Sequence, residues 1–300
     1  MELEFAQSEL KLEWSIFDQR LNHIQGVVPC SSTAAATDTS TGQNVCVSLR
    51  LVPPPLSSYV EIHTDGSFSF YGQPMIIAAH GDLVLIYGAI AVEGVRASSC
   101  PGNFFLYKAS PALPWLIRLP PPSPGNCWRG RAEFTGVLHK GGDDFIVANL
   151  QALVGAQGEE VAELFRYSSG SGEWDFFQID MPGDAANGFH PQSWYTDTVF
   201  SHDSFMYWVD YHQGLISADI CAERPHLQFI KLPGIETKVD FMEGRGLPEI
   251  LRTAAVNGGR IWFVDVDDGR FRSRWSSTSP SSVTAWFRWS SSPDWVVSPC

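Results

Sequence analysis

Positive charge is scarce in this chain. Its 20 Lys and Arg face 33 Asp and Glu, a formal net charge of −13 over 300 residues. Nucleic-acid binders collect Lys and Arg to displace phosphate counterions, so nucleic acid and anionic membranes are both disfavoured as partners. The small basic clusters, Arg129-Gly130-Arg131 and Arg270, Arg272 and Arg274, read as solvated surface. Long apolar runs are missing too. Runs such as Met75-Ile76-Ile77-Ala78-Ala79 are far too short for a membrane-spanning helix. The 6 cysteines, at 30, 46, 100, 127, 221 and 300, include no C-x-x-C pair, which argues against zinc and redox motifs and for free thiols. No G-x-S-x-G, G-x-x-x-x-G-K or G-x-G-x-x-G string occurs, so no catalytic or cofactor signature is legible.

What the chain does have is apolar and aromatic surface to bury. Hydrophobic residues make up 44%, with 11 Trp, 8 Tyr and 19 Phe, while 26 Gly and 20 Pro interrupt any long helix. Disordered, coiled-coil and collagen-like chains are excluded, and many short strands joined by turns are expected. A repeat organises them. An apolar strand, a short polar turn and a second apolar strand recur at Met75–Tyr87, Phe134–Ala148, Asp197–Val209 and Arg252–Val264. The second-strand anchors Leu83, Phe145, Phe205 and Ile261 lie 62, 60 and 56 residues apart. Two further strand-like pieces follow each hairpin, closing on Leu119-Pro120, Met181-Pro182 and Leu232-Pro233 in the first three copies; the fourth copy is ragged and serine-rich.

Four antiparallel strands repeated at this period predict an all-β, β-propeller-like fold with about four recognisable four-stranded blades plus N-terminal strands. Stacking neighbouring sheets would bury the aromatics without invoking a ligand. Residues 1–42 are expected to form an N-terminal strand and flexible segment, with 29–42 a loop, and 43–300 the propeller-like domain. The piece from Leu10 to Ile24 reads equally as strand or helix.

Several strings resemble a plant family, abundant in grasses, catalogued as domain of unknown function 1618. The strongest is Met206-Tyr207-Trp208-Val209-Asp210-Tyr211-His212-Gln213-Gly214-Leu215-Ile216-Ser217-Ala218-Asp219, closing at Leu232-Pro233. Thr41–Leu51 with Pro53-Pro54-Pro55, Ala78–Asp82, Phe105–Ala109, Phe263–Gly269 and Glu13–Asp18 are also similar. The resemblance runs in order over roughly residues 12–290 and departs at Trp275–Cys300, which is serine-rich and shorter than the family's last segment. It implies similarity to the propeller-like domains that follow F-box motifs in plant proteins. It brings no established catalytic residue or ligand, and no F-box-like helical segment is recognised in the first 40 residues.

The acids that invite an enzymatic reading, Asp210 and Asp265, fall at equivalent strand ends of two repeats, with Asn149 at a third. Recurrence at one blade position favours tying down a turn. A glycan-binding or glycoside-hydrolysing propeller using Asp210 and Asp265 is the alternative. Asp265-Val266-Asp267-Asp268-Gly269 echoes a calcium loop but lacks the later glutamate, and His190, His202, His212 and His226 lack metal-ligand spacing. No metal and no cofactor are expected. The Ser273–Ser282 stretch reads as a solvated loop.

The expectation is a non-enzymatic module that binds an unidentified protein partner through its loops, with no nucleic-acid or membrane role. The loops at 88–103, 120–131, 149–161 and 183–195 carry the binding candidates Trp128, Phe189, His190, Trp194 and Tyr195. Tyr207, Trp208, Val209, Asp210, Gly214, Asp219, Leu232 and Pro233 are expected to be structural. The opening Met1-Glu2-Leu3-Glu4-Phe5 has neither a basic nor an apolar leader region, which with the free thiols suggests cytoplasm or nucleus.

Overall fold

A computed structural model describes residues 16–26, 31–52, 55–96, 99–110, 113–122, 131–154, 160–183, 188–233, 235, 246–257, 259–266, 284–289 and 295–298. Within them the chain is all-β, with twenty strands in five four-stranded sheets and only short 3-10 turns at Ala132–Phe134, Pro191–Ser193 and Pro248–Ile250. No helix among the described residues is long and apolar enough to cross a membrane.

Four sheets are antiparallel meanders whose strands follow in chain order. The first contains β5 (Met75–His80), β6 (Leu83–Ala89), β7 (Gly102–Lys108) and β8 (Trp115–Arg118). The second contains β9 (Thr135–Gly141), β10 (Asp144–Val154), β11 (Glu160–Ser168) and β12 (Glu173–Asp180). The third contains β13 (Thr198–His202), β14 (Phe205–Asp210), β15 (Gly214–Asp219) and β16 (Gln228–Lys231). The fourth contains β17 (Arg252–Asn257), β18 (Arg260–Val266), β19 (Thr284–Trp289) and β20 (Trp295–Ser298). The repeat read from the sequence therefore corresponds to four sheets, the ragged last copy included.

The N-terminal sheet breaks the pattern. It contains β1 (Ile16–Gln25), β2 (Ala35–Asp38), β3 (Asn44–Arg50) and β4 (Ser57–Thr64) in the order β1-β4-β3-β2. β1 runs parallel to β4, whereas β2, β3 and β4 form an antiparallel meander. Two expectations are corrected here. The stretch 29–42 is not simply a loop, because Ala35–Asp38 pairs with β3 and Thr39 is buried. The expected boundary after residue 42 falls between two strands of one sheet. Serine, threonine and alanine mislead because short strand segments can be built from them once a neighbouring strand supplies the ladder.

The chain divides into two compact units. Unit 1 comprises residues 1–77 and 82–121; unit 2 comprises 78–81 and 122–300. In unit 1, Val45, Val47, Val60 and Ile62 of the N-terminal sheet share a core with Val84, Ile86, Phe105 and Tyr107. The Tyr107 hydroxyl crosses this seam and donates to the Thr33 carbonyl at 2.6 Å. Burial pushes that phenol up to about 12.

In unit 2, Leu138, Ile146 and Leu164 of the second meander pack with Met206, Trp208 and Ile216 of the third. The third meander in turn packs Tyr207, Val209 and Leu215 against Ala254, Ile261 and Phe263 of the fourth. Covered on both faces, β14 and β15 are buried almost continuously, whereas β12 has only exposed and half-buried positions. The contact is close at Gly136. A Cβ there would lie 2.6 Å from Met206 Sδ and from Val199 Cγ1, so only glycine lets the two sheets approach this far.

Candidate interaction site

The strand ends of the third meander organise a loop over residues 188–197. Asp210 closes β14, is 0% exposed, and accepts three N–H groups. They come from the Tyr195 backbone at 3.0 Å, the His212 backbone at 2.8 Å and the Gln213 side chain at 3.1 Å. Gln213 also donates to Ser193 Oγ at 3.2 Å, while its carbonyl oxygen accepts the His190 backbone N–H at 2.8 Å. Asp197 caps the turn by accepting the Tyr211 N–H at 2.7 Å. Two buried polar side chains and one partly buried carboxylate thus hold the loop backbone, with the donors of its turns satisfied.

These bonds fix the loop's side chains. Phe189 points inward, 1% exposed, its ring 4.6 Å from Phe229 and 5.7 Å from Trp194. This corrects the expectation of Phe189 as an exposed binding residue: loop membership did not prevent its ring from filling the core. Trp194 is half-buried against the same cluster and donates its indole N–H to Thr196. Tyr195 turns the other way. Its ring meets Phe134 edge-on at 5.4 Å, and the Arg131 guanidinium lies 5.0 Å from its centre and 5.8 Å from that of Phe134. Arg131 and Glu133 are both about half exposed and 3.9 Å apart. The result is an aromatic pair with a cation over it, one ring from the 3-10 turn Ala132–Phe134 and the other from the loop that follows Pro191–Ser193. His190 is half-buried. Trp128 lies outside the described residues.

The other candidates separate clearly. Asp265 is bonded to Arg252 Nε at 3.0 Å, and Arg252 also donates to the Tyr211 carbonyl at 2.7 Å, joining the third and fourth meanders. Asn149, at the corresponding place in the second meander, donates to the Arg131 carbonyl and to Thr135 Oγ1. All three polar side chains therefore tie down neighbouring backbone or side chains, although Asn149 lies inside β10 and not at a strand end as expected. Trp208 is fully buried and donates its indole N–H to the Phe134 carbonyl at 2.9 Å. A Cβ on Gly214 would meet the Phe229 ring at 2.5 Å and the Ile230 carbonyl. Asp219 accepts the Cys221 N–H, and Leu232 is buried. Asp267, Asp268 and the Ser273–Ser282 stretch fall outside the described residues, as do Cys30, Cys127 and Cys300; Cys46, Cys100 and Cys221 are free thiols.

The expected loop at 149–161 is mostly strand, because β10 continues to Val154 and pairs with β11 from Glu160. One feature the sequence reading passed over is a recurring histidine. His80, His139 and His202 each sit near the end of the first strand of a meander. The His139 backbone N–H donates to His80 Nδ1 at 3.0 Å, and burial, His139 and His202 lower the His80 pKa. Aligning the repeats on their turns would have found the three. Among the described residues no group of His, Cys, Asp and Glu is arranged to hold a metal ion. In unit 1 an open groove of about 760 Å³ is lined by Thr41, Gln43, Ser67, Ser69 and Glu93 among others, and Thr41 and Gln43 already bond to each other.

The fold and site thus define an all-β protein of stacked four-stranded sheets with a rigidly held aromatic loop. Residues 208–299 match the model of a family described as a protein of unknown function (DUF1618), which supports the family resemblance from Trp208 onward. No curated protein matches the chain.

Proposed function

We propose that this chain is a non-enzymatic, propeller-like protein-interaction module, its four meanders acting as blades and its loops as the recognition surface. The observation that carries the reading is the Arg131–Phe134–Tyr195 cluster beside Trp194 and His190. It combines the residue types favoured as interface anchors with a backbone that Asp210 and Gln213 hold in place, so little ordering entropy remains to be lost on binding. Contacts between the first strands of successive meanders in unit 2, β9 with β13 and β13 with β17, support radial stacking. With the family resemblance come a plant origin and kinship with F-box-associated domains, and the scattered cysteines support a cytoplasmic or nuclear setting. The saturation of Asp210 by N–H donors favours a structural carboxylate over a glycosidase acid.

Proximity labelling in plant tissue, comparing the native chain with an Arg131→Glu, Tyr195→Ser variant of unchanged thermal stability, tests the proposal. A partner set lost in the variant is expected. Labelling that is identical for both chains would falsify the loop surface.

A further inference from the structure

Strand β12 is an open edge of an unusual kind for this molecule. The final strands of the other meanders, β8, β16 and β20, have four residues each; β12 has eight and ends its sheet in the strand order. It pairs with β11 in unbroken register from Val161↔Asp180 to Ser168↔Glu173, with no bulge and no proline. The Met181 N–H bonds to the Glu160 carbonyl, and in an antiparallel ladder the inward-bonding residue alternates. The backbone N–H and C=O of Phe176, Gln178 and Asp180 therefore point away from β11. Among the described residues no strand pairs with that side.

The side chains along this edge select what can dock. Glu173, Asp175 and Asp180 are exposed, and Glu160 and Glu163 lie on the adjacent strand; Arg166 is the single base between residues 160 and 180. Arg166 is already committed to Asp175 at 2.8 Å, to the Ala222 carbonyl at 2.6 Å and to the face of Phe177. Glu173 and Asp175 lie on one face of β12; on the other, which also carries Asp180, Phe176 is 41% exposed and backed by Phe165 at 5.1 Å. Natural sheets guard long edges with short strands, prolines or charge. Here charge alone guards the edge, and it has one sign. A second copy of β12 would bring acid against acid and be repelled, while a strand of opposite charge would be drawn in.

We infer that the β12 edge accepts an extended, basic segment of a partner protein as a fifth strand. Lysine or arginine at alternate positions lies beside Glu173 and Asp175, and apolar side chains between them lie on the Phe176 face. The inference rests on the reading that the chain binds proteins, but uses a surface separate from the Tyr195 loop.

The test uses the full chain and fluorescent ten-residue peptides alternating Lys with Val, a Glu-for-Lys counterpart, and a Lys peptide N-methylated at every second residue. The Lys peptide is expected to bind at least about tenfold tighter than the Glu peptide. Binding is expected to weaken as salt rises from about 0.05 to about 0.5 M and to vanish on N-methylation. Gln178→Pro removes one outward N–H while sparing the ladder to β11, and is expected to abolish binding while the chain keeps its cooperative thermal unfolding. Glu173→Lys with Asp175→Lys is expected to reverse the preference between the two peptides. Binding that survives both N-methylation and Gln178→Pro would overturn the inference, as would no binding of the Lys peptide. Self-association of the chain lost in Gln178→Pro would show the occupant to be a second copy. Peptide binding that persists in the Arg131→Glu, Tyr195→Ser variant separates the two proposals: either surface can fail while the other stands.

Discussion

The seam between the N-terminal sheet and the first meander and the seam between the second and third meanders solve one problem with different topologies. One involves a mixed sheet whose first strand is parallel to its fourth; the other joins two simple meanders. In both, a large buried aromatic spans the gap and places its one polar atom on a backbone carbonyl. Tyr107 reaches Thr33, and Trp208 reaches Phe134. An aromatic with a polar tip buries much area while leaving no orphaned donor. The seams differ in what reinforces them. Ser201 bonds to the Val137 carbonyl at 2.5 Å and Arg166 to Ala222 across the meander seam. In unit 1 the Ser40 N–H bonds to Asn103 at 2.7 Å and Arg118 to the Asp38 carbonyl at 3.2 Å. Order of strands is secondary; the seam chemistry recurs.

Four changes test this comparison. Trp208→Ala empties the meander seam and orphans its carbonyl, with an expected loss of about 3–5 kcal/mol in denaturant unfolding. Asp210→Ala strands three N–H groups and costs roughly 2–3 kcal/mol; hydrogen exchange at the Tyr195 and His212 amides accelerates, while Asp210→Asn retains part of the effect. Tyr107→Phe removes only the hydroxyl from the unit 1 seam, for about 1 kcal/mol. A cost equal to that of Trp208→Ala would mean that the hydrogen bond, not the packed ring, dominates these seams.

The smallest effect is pH-dependent. The fold holds the His80 pKa below the ordinary 6.5, chiefly by burial, then through His139 and His202. The unfolded chain therefore binds the proton more readily. The stabilisation is complete above about pH 6.5 and is lost as pH falls through the lowered folded value. Stability measured at about pH 5 against about pH 7.5 is expected to drop in the native chain. The drop is smaller in His80→Asn, whose amide can still accept the His139 N–H. His23, lowered by burial and by His63, adds a shift of the same sign in unit 1.

Strand period, turn chemistry and the repeat were legible because they are local. Anchors 56 to 62 residues apart marked four sheets that the structure contains. The fastening of Asp210 to nearby backbone was legible for the same reason, since recurrence at one position of the repeat is visible in one dimension. The N-terminal strands were expected too, but not how they pair, because a parallel partner such as β1 leaves no turn signal beside the strand it joins. Phe189 and Tyr195 lie in one loop, and their residue types do not say which ring goes inward. That choice belongs to Phe229 and Trp194 on one side and to Arg131 and Phe134 on the other, residues distant in sequence. The shortage of positive charge behaves likewise. Composition alone weighed against nucleic acid, yet only the pairing of β11 with β12 gathers five acids around one strand edge that no described strand covers. Local patterns set strands and turns because they depend on neighbours in the chain. Burial, seams and edges depend on neighbours in space.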